Sequence, residues 1–270
     1  MPVIKDWLSD ASVKLAKVGI DSAKLDTEII LANCLGKNRT YLHAHPEAEI
    51  KNNALKKAEA MIDKRVCRIP IAYIIGHKEF YGRSFFVNES TLIPRPESET
   101  IIEILKNIYS KKTTKLVDVG TGSGCLGITA KLEIPALDVT LVDISSEALK
   151  VAKMNAKSLS AQIIALQSDL LANYIQKADI IIANLPYVDK TWKRSPETNH
   201  EPSLALFSDD NGKEIIKRLF IQATTKLSKD GFIIIEADPT QHDDLIRFAN
   251  NSLFTLFTRQ DYIIAFKYSC

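Results

Sequence analysis

From about residue 100 the chain alternates in a way that few folds can accommodate. Short apolar runs, KLVDVG (115–120), DVTLVD (138–143), AQIIALQSD (161–169), ADIIIAN (178–184) and GFIIIEA (231–237), are separated by segments of helix length. Runs this apolar bury both faces, which predicts a parallel sheet covered by helices on each side. Two further runs, LFTLFT (253–258) and YIIAFKY (262–268), are joined by a few residues around Arg259, Gln260 and Asp261. So short a link cannot make a parallel crossover, so these two strands are expected to be antiparallel. The expected class is α/β, with a seven-stranded, mostly parallel sheet ending in a C-terminal antiparallel hairpin.

The first 75 residues follow another grammar. Ile4, Trp7, Leu8, Ala11, Leu15 and Val18 fall at helical spacing, as do Leu55, Ala58, Ile62 and Val66. Between them Asp21 and Ser22 can cap a helix running through Leu25, Ile29 and Ala32, with Gly36 placed to end it. Nothing here alternates with period two, so residues 1–75 read as a small all-α bundle without a catalytic constellation. Residues 76–96 read as a connector. KEFYGRSFFV (78–87) suggests a β-hairpin turning at Tyr81 and Gly82, and the two prolines of TLIPRPESE (91–99) break any regular element. The sheet domain is expected to occupy 97–270.

Composition excludes several classes. The formal charge of +2 lacks the basic bias of a nucleic-acid binder. Cys34, Cys67, Cys125 and Cys270 form no CxxC pair, which suggests reduced thiols rather than a disulfide framework or a zinc site. No apolar stretch is long enough to span a membrane, and MPVIKDWLSD lacks the apolar run of a signal peptide. A cytoplasmic monomer with no membrane, metal or direct nucleic-acid partner is the expectation.

DVGTGSGCLG (118–127) ends the first strand of the sheet and opens a helix. Its glycines allow a tight turn and close backbone approach to a ligand. Gly122, Gly124 and Gly127 also satisfy GxGxxG, a weak match alone and equally compatible with a turn that packs helix on sheet. Asp143 ends the second strand about 20 residues later, where a carboxylate can accept hydrogen bonds from two ribose hydroxyls. Asp169 ends the third strand, within reach of an adenine. An adenosine-containing cofactor is indicated, with NAD and S-adenosylmethionine both open at this point.

The fourth strand separates them, because it runs into Asn184-Leu185-Pro186-Tyr187. A planar amide or exocyclic amine is a poor nucleophile, since its lone pair is conjugated. Asn184 can accept one N–H through its side-chain oxygen, and the carbonyl of Leu185 can accept the other. Pro186 fixes the turn, and Tyr187 offers a face for a flat substrate. Catalysis of this kind is mainly positioning. A strand-end turn with an aromatic core residue is the plain alternative.

These motifs resemble class I S-adenosylmethionine-dependent methyltransferases. More closely, the chain resembles the HemK/PrmC family, which methylates the N(5) nitrogen of a glutamine in peptide chain release factors. The resemblance runs through LDTEIILANCLG (25–36), RIPIAYIIGHKEFYG (68–82), TLIPRPESE (91–99), DVGTGSGCLGI (118–128), NLPYV (184–188), HEPSLAL (200–206) and DGFIIIEADPTQ (230–241). It implies a Rossmann-like methyltransferase sheet and a helical N-terminal domain that helps hold the release factor. It also implies that S-adenosylmethionine is consumed and S-adenosylhomocysteine released. The cofactor would sit on Gly120, Thr121, Gly122, Ser123, Gly124, Asp143, Asp169, Leu170 and Asn184. The glutamine would be held by Asn184 to Tyr187.

The family usually reads Asn-Pro-Pro-Tyr, so Leu185 departs from the pattern while keeping the carbonyl its position needs. Leu170 stands where relatives can carry an aromatic ring, and DYIIAFKYSC is atypical at the end. Asn-Leu-Pro-Tyr also resembles ribosomal RNA adenine dimethyltransferases, which makes an rRNA or DNA adenine N(6)-methyltransferase the alternative. Those enzymes typically carry their helical domain after the catalytic one. A nicotinamide oxidoreductase rests only on GxGxxG, and a non-catalytic binding module leaves Asn184 to Tyr187 without a purpose. Residues 189–212 are polar, aperiodic and too long for a simple connection. They are expected to flank the substrate entrance, with Glu201 and Pro202 bracing the Asn184 turn and His200 nearby but not acting as a base.

Overall fold

The computed structural model describes residues 1–110 and 115–269. Its contacts divide the chain into two compact units, Met1–Gly76 with Ser195–His200, and His77–Arg194 with Glu201–Cys270.

The helical unit holds α1 (Ile4–Lys17), α2 (Ala23–Leu35), α3 (Arg39–Ala44), α4 (Asn52–Val66) and α5 (Ile71–Ile75). Ile4, Trp7, Ala11 and Leu15 are buried along α1, and Ala58 and Ile62 along α4, as the helical spacing predicts. Gly36 ends α2 in the left-handed conformation at φ 62°. The other end of α2 differs from expectation. Ser22 makes no side-chain cap, and its hydroxyl donates instead to Asp26 Oδ2 at 3.0 Å. The buried face also differs, since Leu25 is exposed while Asp26, Thr27 and Glu28 are buried. The reason is a buried ion pair, Arg65 Nε to Asp26 Oδ2 at 2.6 Å, with Arg65 Nη1 reaching Glu197 Oε1 at 2.9 Å. Charge pairing therefore overrides the apolar count on this helix. The 3-10 turn Pro196–His200 belongs to this unit.

The second unit opens with the hairpin of β1 (His77–Phe80) and β2 (Arg83–Phe86). Tyr81 and Gly82 at its turn both have positive φ, 51° and 71°, the geometry that matches strand twist in a two-residue link. After the 3-10 turn Pro96–Ser98 come α6 (Glu99–Ile108), β3 (Lys115–Val119), α7 (Cys125–Glu133), β4 (Asp138–Asp143), α8 (Ser146–Ser158), β5 (Ile164–Gln167) and β6 (Ala178–Ala183). Two single turns follow, α9 (Ser203–Leu206) and α10 (Asp209–Gly212). The unit ends with α11 (Glu214–Lys226), β7 (Leu227–Glu236), α12 (His242–Asn250), β8 (Phe254–Gln260) and β9 (Ile263–Tyr268).

Seven strands form one sheet in the order β5-β4-β3-β6-β7-β9-β8. β3 to β7 pair in parallel, and β9 is antiparallel to both β7 and β8. The expected α/β class and antiparallel ending are both present. Alternate residues of each strand enter opposite cores. Val117, Ile181, Ile233 and Ile235 pack on one face with Phe220 and Leu245. Leu116, Ile180, Ile182 and Ile234 pack on the other with Ile101, Leu105 and Ile128. Both faces are buried, which is why these strands read as continuous apolar runs.

Among the described residues no helix is long and apolar enough to cross a membrane, and no cluster of His, Cys, Asp or Glu could hold a metal ion. Cys34, Cys67 and Cys125 are free thiols, while Cys270 lies outside the described residues.

Candidate active site

The chain runs outward from β3 through β4 to β5, then returns to β6 on the other side of β3. Such a switch point opens a crevice at the carboxyl ends of the strands. Val119 and Ala183 are register partners at the last rung of β3 and β6, so Gly120 and Asn184 leave the sheet side by side. There a cavity of about 370 Å3 is lined by Gly120, Thr121, Gly122 and Ser123, by Asp143, Asp169 and Leu170, and by Asn184, Leu185 and Pro186.

The glycine loop is held by its neighbour strand. Gly120 and Thr121 donate their N–H groups to Val142 O at 2.8 and 3.0 Å. Gly122 N–H donates to Asp143 Oδ2, and Ser145 N–H to Asp143 Oδ1, each at 2.9 Å. Burial pushes the Asp143 carboxyl up from its ordinary range, and these N–H groups act against that. Gly122 has φ 54° and open space where a side chain would start, whereas Gly120, at φ 70°, faces Leu185. Gly124 caps α7 and is not among the cavity-lining residues. Beneath the loop, Asp118 Oδ2 accepts from Thr121 Oγ1 at 2.6 Å and from Gly127 N–H at 2.9 Å. Its burial pushes the Asp118 carboxyl up to about 6.

At the far end, Asp169 Oδ2 accepts a hydrogen bond from Arg218 Nη2 of α11 at 2.5 Å, and Arg218 also lines the cavity. Leu170 is buried with φ 49°, a left-handed backbone that a leucine rarely adopts.

The Asn184 turn is tied from several directions. Asn184 Nδ2 donates to Ser98 Oγ at 3.0 Å, and Ser98 Oγ donates to Glu236 Oε2 at 2.5 Å. Tyr187 donates its hydroxyl to Glu236 Oε1 at 3.0 Å. Tyr187 does not line the cavity; its ring packs against the core and its hydroxyl turns inward. Burial, and then the neighbouring Glu236 charge, raise the Tyr187 hydroxyl well above its usual range, so it stays a donor. Burial likewise raises the carboxyl of Glu236, against the hydrogen bonds from Ser98 and Tyr187 and a weaker one from the Asn184 amide. Val188 N–H donates to Leu206 O at 3.0 Å, and Gln241 Nε2 donates to Tyr187 O at 2.8 Å.

One expectation for the 189–212 segment needs correction. Among the described residues the Glu201 carboxylate makes no hydrogen bond to the Asn184 turn. It accepts from Ile93 N–H at 3.1 Å and Arg95 Nη2 at 2.5 Å, and so fixes the proline-rich connector. The bracing of the turn comes from Leu206, Ser208 and Gln241 instead. His200 is exposed, belongs to the helical unit and has its Nε2 3.1 Å from Cys67 O. Ser98, Glu236 and Arg218 were missed by sequence reasoning. The one available signal was Glu236, a lone acid ending the apolar run of GFIIIEA.

Comparison with known proteins adds a second line of observation. Residues 6–76 match the family model of the PrmC N-terminal domain, and residues 97–201 match that of the methyltransferase small domain. A release factor glutamine methyltransferase from Koribacter versatilis is 37% identical over 249 residues, covering 87% of this chain and 88% of that protein. A bifunctional methyltransferase from Rickettsia bellii is 32% identical over 275 residues; this covers 90% of this chain but only 50% of that longer protein. The chain thus spans about half the length of that relative. Among solved structures, a methyltransferase from Pyrococcus furiosus superposes with a TM-score of 0.55 at 15% identity, covering 78% of this chain and 98% of that one. At that identity the likeness concerns the fold alone.

Proposed function

This chain belongs to the release factor glutamine methyltransferase family, and we propose that it methylates the side-chain amide nitrogen N(5) of the glutamine in the Gly-Gly-Gln motif of peptide chain release factors. The observation that carries the reading is the shared cavity of Asn184, Gly122 and Asp143 at one switch point. It supports a donor and a flat amide meeting where β3 and β6 end.

The residues present fit S-adenosylmethionine. Gly122 leaves open the space that any side chain would fill, and Asp143 is already aimed by Gly122 and Ser145. Gly120 to Ser123, Asp143, Asp169, Leu170 and Asn184, which line the cavity, would hold it, with Gly124 starting the helix behind them. When bound, it supplies a methyl group on a sulfonium, which needs no activation, and leaves as S-adenosylhomocysteine.

The chain's own residues do the positioning. Asn184 Oδ1 accepts one N–H of the glutamine amide, and the carbonyl of Leu185 accepts the other. Two acceptors in that arrangement turn the nitrogen lone pair out of conjugation and towards the methyl. Pro186 holds the carbonyl in place by fixing φ. Leu185, where the family usually has proline, keeps the same carbonyl. Tyr187 supports the turn through the hydrogen bond of its hydroxyl to Glu236, and its ring packs into the core instead of facing the cavity. The proton leaves the nitrogen after methyl transfer, when the amide is cationic, so water can take it.

In this reading residues 1–75 help hold the release factor, 76–96 connect, and 97–270 carry out the transfer, in a monomer working in the cytoplasm. The test is methyl transfer from labelled S-adenosylmethionine to purified release factor, with ribosomal RNA and small ribosomal subunits as parallel acceptors. Mass spectrometry locates the methyl group, and Asn184→Ala is the control. Label on the glutamine, lost in the variant, supports the reading; label on RNA adenine overturns it.

A further inference from the structure

Ser98 and Glu236 form a chain of hydrogen bonds ending on the residue assigned to grip the substrate amide. Glu236 ends β7 and is 1% exposed; Ser98, just before α6, is 2% exposed. They are 138 residues apart in sequence. Burying a carboxylate is unfavourable unless its oxygens are matched by donors. Here both oxygens are matched, Oε2 by Ser98 and Oε1 by Tyr187.

The polarity of this chain follows from what each group can do. Glu236 accepts on both oxygens, from the Ser98 hydroxyl and from the Tyr187 hydroxyl, the polarity of a carboxylate with its donors matched. The Ser98 oxygen then turns a lone pair towards Asn184, which must answer with its NH2. An amide is planar, with nitrogen and oxygen on opposite branches. Fixing Nδ2 on Ser98 therefore directs Oδ1 away from it. Without Ser98 the amide could rotate and present NH2 to the substrate, a donor facing a donor.

We infer that Glu236, acting through Ser98, is the positioning device that sets the amide orientation of Asn184, so that an acceptor and not a donor meets the N–H of the substrate amide. The inference rests on the proposed function for the identity of that substrate. The order it places on Asn184 exists without one. Tyr187, held on the second carboxylate oxygen, is positioned by the same group, so both ends of the Asn184–Tyr187 turn answer to Glu236. The recognised chemistry is a primary carboxamide. An ester or carboxylate in its place has no N–H for the acceptor.

Ser98→Ala removes the link. Glu236→Gln keeps the shape but supplies one acceptor and one donor where two acceptors are required, so either Ser98 or Tyr187 must reverse. Two measurements on the full chain test this. The first is exchange of the Asn184 side-chain NH2 protons, read by NMR after selective labelling of asparagine and assigned with Asn184→Ala. The second is the split between kcat on release factor and the affinity for S-adenosylmethionine. Exchange at least tenfold faster in both variants, with kcat down tenfold or more and a several-fold smaller loss of cofactor affinity, is the expected result. Unchanged exchange, a kcat within twofold of wild type, or kcat and cofactor affinity falling by the same factor would overturn it. If either variant fails to fold, the other decides. Wild-type protein that transfers no methyl to release factor but protects the Asn184 amide would overturn the substrate reading, while supporting the ordering of Asn184.

Discussion

Leu185 occupies the space that a side chain on Gly120 would need: a Cβ built there would stand 2.7 Å from Leu185 Cδ2. The loop assigned to the methyl donor and the turn assigned to the amide are thus packed directly on each other at the β3–β6 switch. Leu185 is 4% exposed, so it has little room to retreat.

Gly120→Ala is therefore expected to damage the turn as well as the loop. The left-handed φ of 70° costs a side chain roughly 1–2 kcal/mol, and the displaced Leu185 moves the Asn184 backbone with it. Melting temperature should fall, and kcat should drop at least tenfold. In a Leu185→Ala background the collision is gone and only the backbone strain remains, so the two changes should be non-additive. Thermal melts of the four proteins check this; additive losses would show that the contact does not hold the turn.

Gly122→Ala is expected to behave differently. Its Cβ meets nothing within 4 Å, so the fold loses only the strain of φ 54°. The added methyl enters the space assigned to the cofactor. Titration calorimetry should show S-adenosylmethionine affinity weakened tenfold or more, with a small change in melting temperature. Unchanged affinity would move the cofactor away from this loop.

The contrast between those glycines shows what was legible in the sequence. The glycine run, Asp143 and Asn184 to Pro186 lie at strand ends, and strand ends are readable from short, continuous apolar runs. The pattern DVGTGSG cannot show that Gly120 faces Leu185 while Gly122 faces open space, because that depends on β3 pairing with β6. Ser98 and Glu236 meet across 138 residues, and no local pattern encodes such a pair. α3 and α5, at 6 and 5 residues, are too short to display a period. Leu25 misled for another reason, since the buried Asp26–Arg65 pair turned α2 to a face that apolar spacing does not mark.

His200→Ala should retain activity within about threefold of wild type, because its ring is exposed and, among the described residues, its polar contact is the carbonyl of Cys67. Steady-state methyl transfer checks this. A loss of several hundred-fold would make His200 a proton acceptor and remove water from that role.

Arg65→Met should destabilise the helical unit by about 3–5 kcal/mol, the usual effect of leaving one partner of a buried ion pair uncompensated. Asp26 is 3% exposed and would keep only the Ser22 hydroxyl. Replacing both partners, Asp26→Leu with Arg65→Met, should recover most of the loss, since the charge left behind is removed. Glu197 keeps Arg68 at 3.0 Å in both cases. Hydrogen exchange of α2 and α4 amides against urea reads the effect; equal protection in the single variant would mean that Asp26 finds water instead.

Asp118 should make the stability of the ligand-free protein fall as pH rises from about 4 to about 6. Burial lifts its carboxyl from 3.8 to about 6, so the folded state holds the proton more tightly than the unfolded chain does. A raised carboxyl favours folding most at low pH, below the unfolded value, and that contribution is lost on passing through the folded value. A difference of about two pH units corresponds to on the order of 2–3 kcal/mol. Asp118→Asn cannot titrate, so the stability of wild type relative to this variant should decline across that window and level off above it. Other carboxylates cancel in the comparison. The local reason is that Oδ2 takes both available donors, Thr121 and Gly127, while Oδ1 has no partner among the described residues. A protonated Oδ1 no longer carries part of an uncompensated charge in the core. Carboxyl-carbon NMR should find Asp118 titrating near 6; an ordinary value near 4, or a flat stability difference, would mean that the loop solvates this carboxylate far better than its two hydrogen bonds imply.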